Sequence, residues 1–388
     1  MKSQLAIIPI IILFQSLFFG FGQIIGNTDV KKMVISINQN SDVLKGVNLG
    51  NALEAPEEGD WGIILVDRFF QAIKDAGFTC VRVPIRWNAH AETDEPYTIK
   101  DSLFKRIDWV VNNSLFHNLV CIINIHHYEE LMADPEGHKD RFLSLWQQIS
   151  NHYQNQSQNL YFELLNEPTN NLTNNLWNQY LDEAVGVIRH TNPTRKIIIG
   201  PTNWNNLNQI ENLILPQDPN IIATFHYYSP FQFTHQGAEW VEGSNAWMGT
   251  KWEGTESEKA QIMADFDTAA EWAKKCNTSL LLGEFGAYSK AEMASRVRWT
   301  EFVRQEAENR NISWCYWEFA AGFGIYRKIS SSWEKDLLQA LLPNSPVLTT
   351  TTETTTTTTA STNSGLWATL ISSIASSLFY RRKKKKES

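Results

Sequence analysis

Cysteine is scarce: the 388 residues hold four, at 80, 121, 276 and 315, and none form a C-x-x-C pair. Without that spacing a thiolate zinc site has little support. Cys80, Cys121 and Cys315 sit inside apolar runs and Cys276 precedes one, a pattern that suits buried thiols or one or two disulfides equally. No glycine-rich phosphate fingerprint follows any apolar run. Basic side chains are also short in the body. Of 34 Lys and Arg, six lie in residues 381–386, so the chain to residue 348 carries 28 against 40 acidic side chains, a net −12. So acidic a surface is a poor match for nucleic acid, though it does not bar a neutral polymer.

Long hydrophobic runs are missing everywhere except the ends, and both are short. Residues 1–22, "MKSQLAIIPIIILFQSLFFGFG", have one early lysine, an apolar stretch and small residues after it. That is the layout of a cleaved secretory signal, and its apolar core of about 15 residues is short for a membrane span. At the other end, residues 346–364 form a Thr-rich linker without core residues. Residues 365–380, "GLWATLISSIASSLFY", reach about 24 Å as a helix, slightly less than a hydrocarbon core of about 30 Å. Basic residues 381–386 follow at once, as in a single-pass anchor with a cytoplasmic tail at 381–388. A GPI-type signal would end on its apolar tail, and this one does not. The final "KKES" resembles a dilysine retrieval signal, which keeps endoplasmic-reticulum retention open. Five N-x-S/T sequons, at Asn112, Asn155, Asn171, Asn277 and Asn311, suit a luminal or extracellular body.

Residues 23–345 are expected to form one folded body. Eight short apolar runs punctuate it: 43–50, 79–84, 119–127, 159–167, 196–201, 221–228, 279–286 and 313–319. Several are almost continuously apolar, as strands buried on both faces are. Between them lie stretches such as "VDRFFQAIKDAGF" with apolar residues three and four apart, the spacing of amphipathic helices. Eight β-then-α units predict an α/β fold, a single (β/α)8 barrel, over a doubly wound sheet.

Barrel enzymes place their chemistry where strands end. The run ends here are Asn51 and Glu54, Arg82, His126 and His127, Asn166 and Glu167, a chemically quiet fifth end, His226 and Tyr228, Glu284, and Trp317. Two carboxylates across a mouth suit glycosidic-bond cleavage, in which one carboxyl is protonated and the other ionised. A metal hydrolase would want more Asp and His ligands at closer spacing, so neither metal nor cofactor is expected. Arg82 is placed to hold Glu284 ionised, and Asn166 to bond a sugar 2-hydroxyl. One of the three histidines is expected to be mainly structural, and Trp317 to offer a flat face to a sugar ring.

The body resembles glycoside hydrolase family 5, the large cellulase-containing family of retaining barrel enzymes. The resemblance rests on "KGVNLGNALEAP", "VRVPIRW", "IINIHH", "LLNEP", "FHYYSPFQFTHQGAEW", "LLGEFGAY" and "WCYWEF", in family order across residues 45–326. It implies Glu167 as acid/base and Glu284 as nucleophile, with Arg82, His126, Asn166, His226, Tyr228 and Trp317 lining the catalytic subsite. It further implies that Asn51, Glu54, His127, His235 and Trp240 bind sugars at neighbouring subsites. The expected activity is retaining endo-β-1,4-glucanase action on a β-linked polysaccharide, by a monomer. A β-mannanase, a broad β-glucanase and a catalytically silent carbohydrate-binding barrel stand as alternatives.

Overall fold

The computed structural model describes residues 43–349. The expected signal (1–22), the anchor, the basic tail and the linker beyond residue 349 lie outside the described residues. Eight parallel strands close into a barrel in chain order: β1 Lys45–Asn48, β2 Cys80–Val83, β3 Val120–Asn124, β4 Leu160–Glu163, β5 Ile197–Ile199, β6 Ile221–Tyr227, β7 Ser279–Phe285 and β8 Ser313–Tyr316. The last pairs back onto the first, Gly46 opposite Cys315, while Gly46 also faces Cys80 of β2. Each expected run supplies one strand.

Helices α1 (Asp67–Ala76), α2 (Asp101–Phe116), α3 (Pro135–His152), α4 (Asn174–Arg189), α5 (Glu256–Cys276), α6 (Met293–Asn309) and α7 (Lys335–Leu341) follow seven of the strands. Their ends carry ordinary signals: α1 stops at Gly77, whose φ of 100° is costly for other residues, and α5 starts with a Thr255–Glu258 capping box. After β5 the expected helix is replaced by a 3-10 turn, Leu207–Asn212. Five asparagines in residues 202–212 explain this, because their side chains compete for backbone groups and favour turns.

The larger apolar core fills the space between strands and helices, and a smaller layer plugs the barrel itself. The plug is Cys80, Ile122, Ile198, Leu281 and Cys315, with Leu44, Tyr161 and Ile222 against it. All four cysteines are free thiols. Strand alternation turns every second residue inward, so above this apolar floor the next inward positions carry Arg82, Asn124, Glu163 and Thr224. The interior thus changes from hydrocarbon to hydrogen-bonding groups over one step of each strand. At the C-terminal end, Pro346–Thr349 forms a helical turn with Val347 and Leu348 against the core, four residues past the expected boundary. Among the described residues no helix is long and apolar enough to cross a membrane.

Candidate active site

Arg82, fully buried, organises the mouth through all five of its N–H donors. Its Nε and Nη2 grip Glu163 at 2.6 and 2.8 Å, Nη1 donates to Glu284 Oε1 (2.7 Å) and Asn48 Oδ1 (2.8 Å), and Nη2 also donates to Asn166 Oδ1 (2.7 Å). Burial opposes its charge, but Glu163 and Glu284 outweigh that and hold the guanidinium firmly protonated. Because Arg82 claims Oδ1 of Asn166, the Asn166 amide is left with Nδ2 as its donor.

Glu284 is set by a fault in the sheet. The β6–β7 register runs Phe225 opposite Leu282 and then His226 opposite Glu284, so Gly283 is skipped as a bulge. Strict alternation from Leu281, which lies in the barrel plug, would turn Gly283 inward and Glu284 toward the helices. The bulge re-aims Glu284 into the barrel. There its Oε1 takes the Arg82 bond and its Oε2 accepts from Tyr228 Oη at 2.9 Å. Burial lifts the Glu284 carboxyl above its ordinary range, with His226 and Arg82 pulling it back toward the charged form.

Glu167 lies beyond the end of β4 with φ at 48°, a left-handed conformation rare for glutamate. Its Oε1 meets His226 Nδ1 at 2.7 Å, and the same nitrogen is 3.6 Å from Glu284 Oε2. Burial, reinforced by Glu163 and opposed by Arg82, pushes its carboxyl up to about 7. Burial takes His226 down to about 4 against the pull of Glu284, so its imidazole is neutral near pH 7. One oxygen of each glutamate and one His226 nitrogen all fall within 4.8 Å of one another. That is the grouping among the described residues with the spacing to hold an ion. Its ligand atoms are already engaged, Glu284 by Arg82 and Tyr228 and His226 Nδ1 by Glu167, so a cation would have to displace these partners.

His126 is buried, bonded through Nδ1 to Asn124 at 3.0 Å, and lies nearly parallel to Trp317 with ring centroids 6.0 Å apart. Burial, with His127 second, keeps it well below the ordinary histidine range. It is thus a neutral ring lying alongside Trp317. Trp317 itself is half-buried, against Ala238, Tyr288 and Phe323. His127, with φ at 53°, meets Trp61 edge-on at 5.6 Å. His235 is stacked on Phe231 at 4.1 Å and lies 4.9 Å from Tyr228, while Trp240 stands exposed beside it. Glu54 is buried under the first loop and accepts from the backbone N–H groups of Asn51 and Ala52. Burial, against those bonds, pushes it up to about 7. Asn51 and Glu54 thus shape that loop together.

The expected set therefore divides into one hydrogen-bonded centre (Glu167, Glu284, Arg82, Asn166, His226, Tyr228), the first loop with Asn51 and Glu54, and aromatic flanks. Sequence reading missed Glu163 and Asn48, although a lone acid inside "LYFELL" signals a buried basic partner. It also treated the fifth strand end as quiet. Asn205, in the loop after β5, is fully buried and its Nδ2 is 3.2 Å from His226 Nε2. Glu318 was missed too: it is fully buried, pushed up to about 8 by burial, and its Oε2 has no hydrogen-bond partner among the described residues.

Residues 39–322 match the family model for cellulase, glycosyl hydrolase family 5. Endoglucanase H of Acetivibrio thermocellus is 37% identical over 303 residues, covering 76% of this chain but 32% of that protein. The chain thus spans about a third of that relative's length. Solved structures of Thermotoga maritima Cel5A, in complex with mannotriose and with cellobiose, superpose at a TM-score of 0.76 with 51% identity. Each covers 77% of this chain and 97% of the other.

Proposed function

The chain belongs to glycosyl hydrolase family 5, the cellulase family, and on that premise we propose that it is a retaining endo-β-1,4-glucanase. The observation that carries the reading is the closeness of the two glutamates, whose nearest oxygens and the His226 nitrogen between them lie within 4.8 Å. Inverting enzymes need carboxyl groups about 6.5–9.5 Å apart to admit a water, whereas retaining ones sit about 5–5.5 Å apart. Glu284 Oε1 and Oε2 are steadied by Arg82 and Tyr228, so this carboxylate is positioned to attack the anomeric carbon. Glu167, pushed up to about 7, keeps its proton for the leaving oxygen. The glycosyl–enzyme ester then falls to a water that Glu167 deprotonates. Asn166 Nδ2 is available to the 2-hydroxyl, and Trp317 to the sugar face. Proton NMR of fresh cello-oligosaccharide digests should show the β-anomer first; the α-anomer first would reject the reading.

A second reading has its own support, since the Cel5A structures hold both cellobiose and mannotriose. On that reading the enzyme accepts mannan as well as glucan backbones. Reducing-sugar release from carboxymethyl-cellulose, pure β-1,4-mannan and laminarin, measured side by side, separates the two, and no release from any of them would favour a silent carbohydrate-binding barrel.

The body is proposed to work outside the cytoplasm, tethered by residues 365–380. Support comes from the apolar stretches at the chain ends and from the sequons, whose five asparagines are all exposed. Truncation after Thr349 should move activity from the membrane pellet to the soluble fraction. Full-length enzyme that stays soluble after alkaline washing would remove the tether.

A further inference from the structure

The loop after β5 holds three consecutive non-glycine residues in the left-handed region: Asn203 (φ 57°), Trp204 (φ 62°) and Asn205 (φ 51°). Such a run is disfavoured at every step and persists only where surrounding contacts impose it. Here Asn206 bridges His226 of β6, and Trp204 N–H donates to the carbonyl of Pro168, next to Glu167. The outcome is a buried Asn205 amide laid against His226. Gly200, at the end of β5, makes room for it, since a Cβ there would lie 2.2 Å from Asn205 Oδ1. Among the described residues Oδ1 has no hydrogen-bond partner, while Nδ2 is 3.2 Å from His226 Nε2.

We infer that Asn205 is a positioning residue that fixes the tautomer of His226 and thereby decides which oxygen of Glu167 carries the catalytic proton. Nδ2 is a donor, so the nitrogen it faces, Nε2, is the acceptor. A neutral imidazole then has its proton on Nδ1. Nδ1–H donates to Glu167 Oε1 at 2.7 Å, in both the acid and the base form of Glu167. With Oε1 already accepting, the exchangeable proton rides on Oε2, and it leaves to the glycosidic oxygen and returns from water on that atom alone. The charged and titratable groups that face this pair are Glu284, Arg82, Glu163, Tyr228 and His126. None of these hydrogen-bonds Nε2; Glu167 favours Nδ1–H only when it is ionised, and Asn205 holds that tautomer when Glu167 is protonated.

This rests on the acid/base role proposed for Glu167, and the test keeps the two separable. Asn205→Asp preserves size and tolerates the left-handed backbone but replaces the donor by an acceptor. The ring must then carry its proton on Nε2, and a neutral ring offers Glu167 a bare Nδ1 that accepts the Glu167 proton instead of donating to Oε1. kcat/KM reports the first chemical step, so cellotetraose, which needs the acid, is compared with 2,4-dinitrophenyl β-cellobioside, which does not. The expected result is a loss at least tenfold greater on cellotetraose, with the alkaline limb of its pH profile moved to higher pH, because the Glu167 carboxylate loses its Nδ1–H donor. Asn205→Gly, which suits the backbone and removes the amide, should show the same selective loss if the Asp variant fails to fold. Equal losses on both substrates with an unmoved alkaline limb would mark a merely structural residue and overturn the inference. Glu167→Ala, run alongside, must itself discriminate between the substrates; if it does not, the acid/base reading falls first.

Discussion

At the scale of single residues, the two glutamates differ in their partners more than in their burial. Both are lifted by desolvation, but Glu284 bonds a guanidinium and a phenol, whereas Glu167 bonds a neutral imidazole. The two carboxylates are therefore expected to fail differently when removed. Glu167→Ala should still form the glycosyl–enzyme intermediate from an aryl glycoside that needs no acid, and azide should then release a β-glycosyl azide. Glu284→Ala should form no intermediate, and azide should give the α product. NMR of the azide adducts checks the anomers, and exchanged stereochemistry would reverse the two roles. Arg82 is what keeps the assignment in place, since its five donors are divided among four side chains, a load no lysine could carry.

At the scale of elements, the site depends on places where regular structure is broken. The bulge at Gly283 is the clearest, because it turns Glu284 from the helix side to the barrel interior. A Cβ at Gly283 would sit 2.8 Å from Thr224 Oγ1 and 3.0 Å from His226 Nε2. Gly283→Ala should therefore push His226 off Glu167 while leaving the barrel able to fold. A displacement of about 1 Å in such geometry costs about 100-fold in rate. The prediction is a fall of that order in kcat with a thermal midpoint lowered by only a few degrees. Wild-type kcat in a folded Gly283→Ala protein would show that the bulge has no catalytic consequence. The loop after β5 is the other broken element, and it converts a strand end without chemistry of its own into a support for His226.

At the scale of the whole molecule, buried carboxyls make stability depend on pH. Glu54 and Glu167 are pushed up to about 7 and Glu318 to about 8, from an ordinary 4.5. A raised folded-state value means that the native state holds protons the unfolded chain has lost. Their stabilisation is complete below 4.5 and disappears as pH rises through 7 to 8. His127, His226 and His235, lowered to about 4 from 6.5, work in the opposite sense, with stability lost as pH falls below 6.5. Between pH 6.5 and 8 the carboxyls dominate, so denaturant midpoints should drop across that window. Glu318→Gln, which cannot ionise, should flatten the slope and be the more stable protein at pH 8, by about 1–3 kcal/mol, the usual cost of a buried group left without its bonds. An unchanged slope in the variant would show that Glu318 does not titrate there.

Sequence alone determined the eight strands, their order and most of the mouth. Near-continuous apolar runs can be buried only on both faces, and polar residues at their ends have few places to go except the rim. It also placed Glu167, Glu284 and Arg82 in one site, because residues at strand ends of a closed barrel converge whatever their separation along the chain. What it could not give were the features that depend on a neighbour far away in sequence. Glu163 looks like a stray acid until Arg82, 81 residues earlier, is found gripping it. Asn205 looks like one asparagine in a run of five until the left-handed turn lays its amide on His226. The inward turn of Glu284 contradicts its own strand's alternation, and it follows only from the skipped pairing with β6. Periodicity and composition are local properties, and these three are set by register, strain and hydrogen bonding that exist only once the barrel has closed.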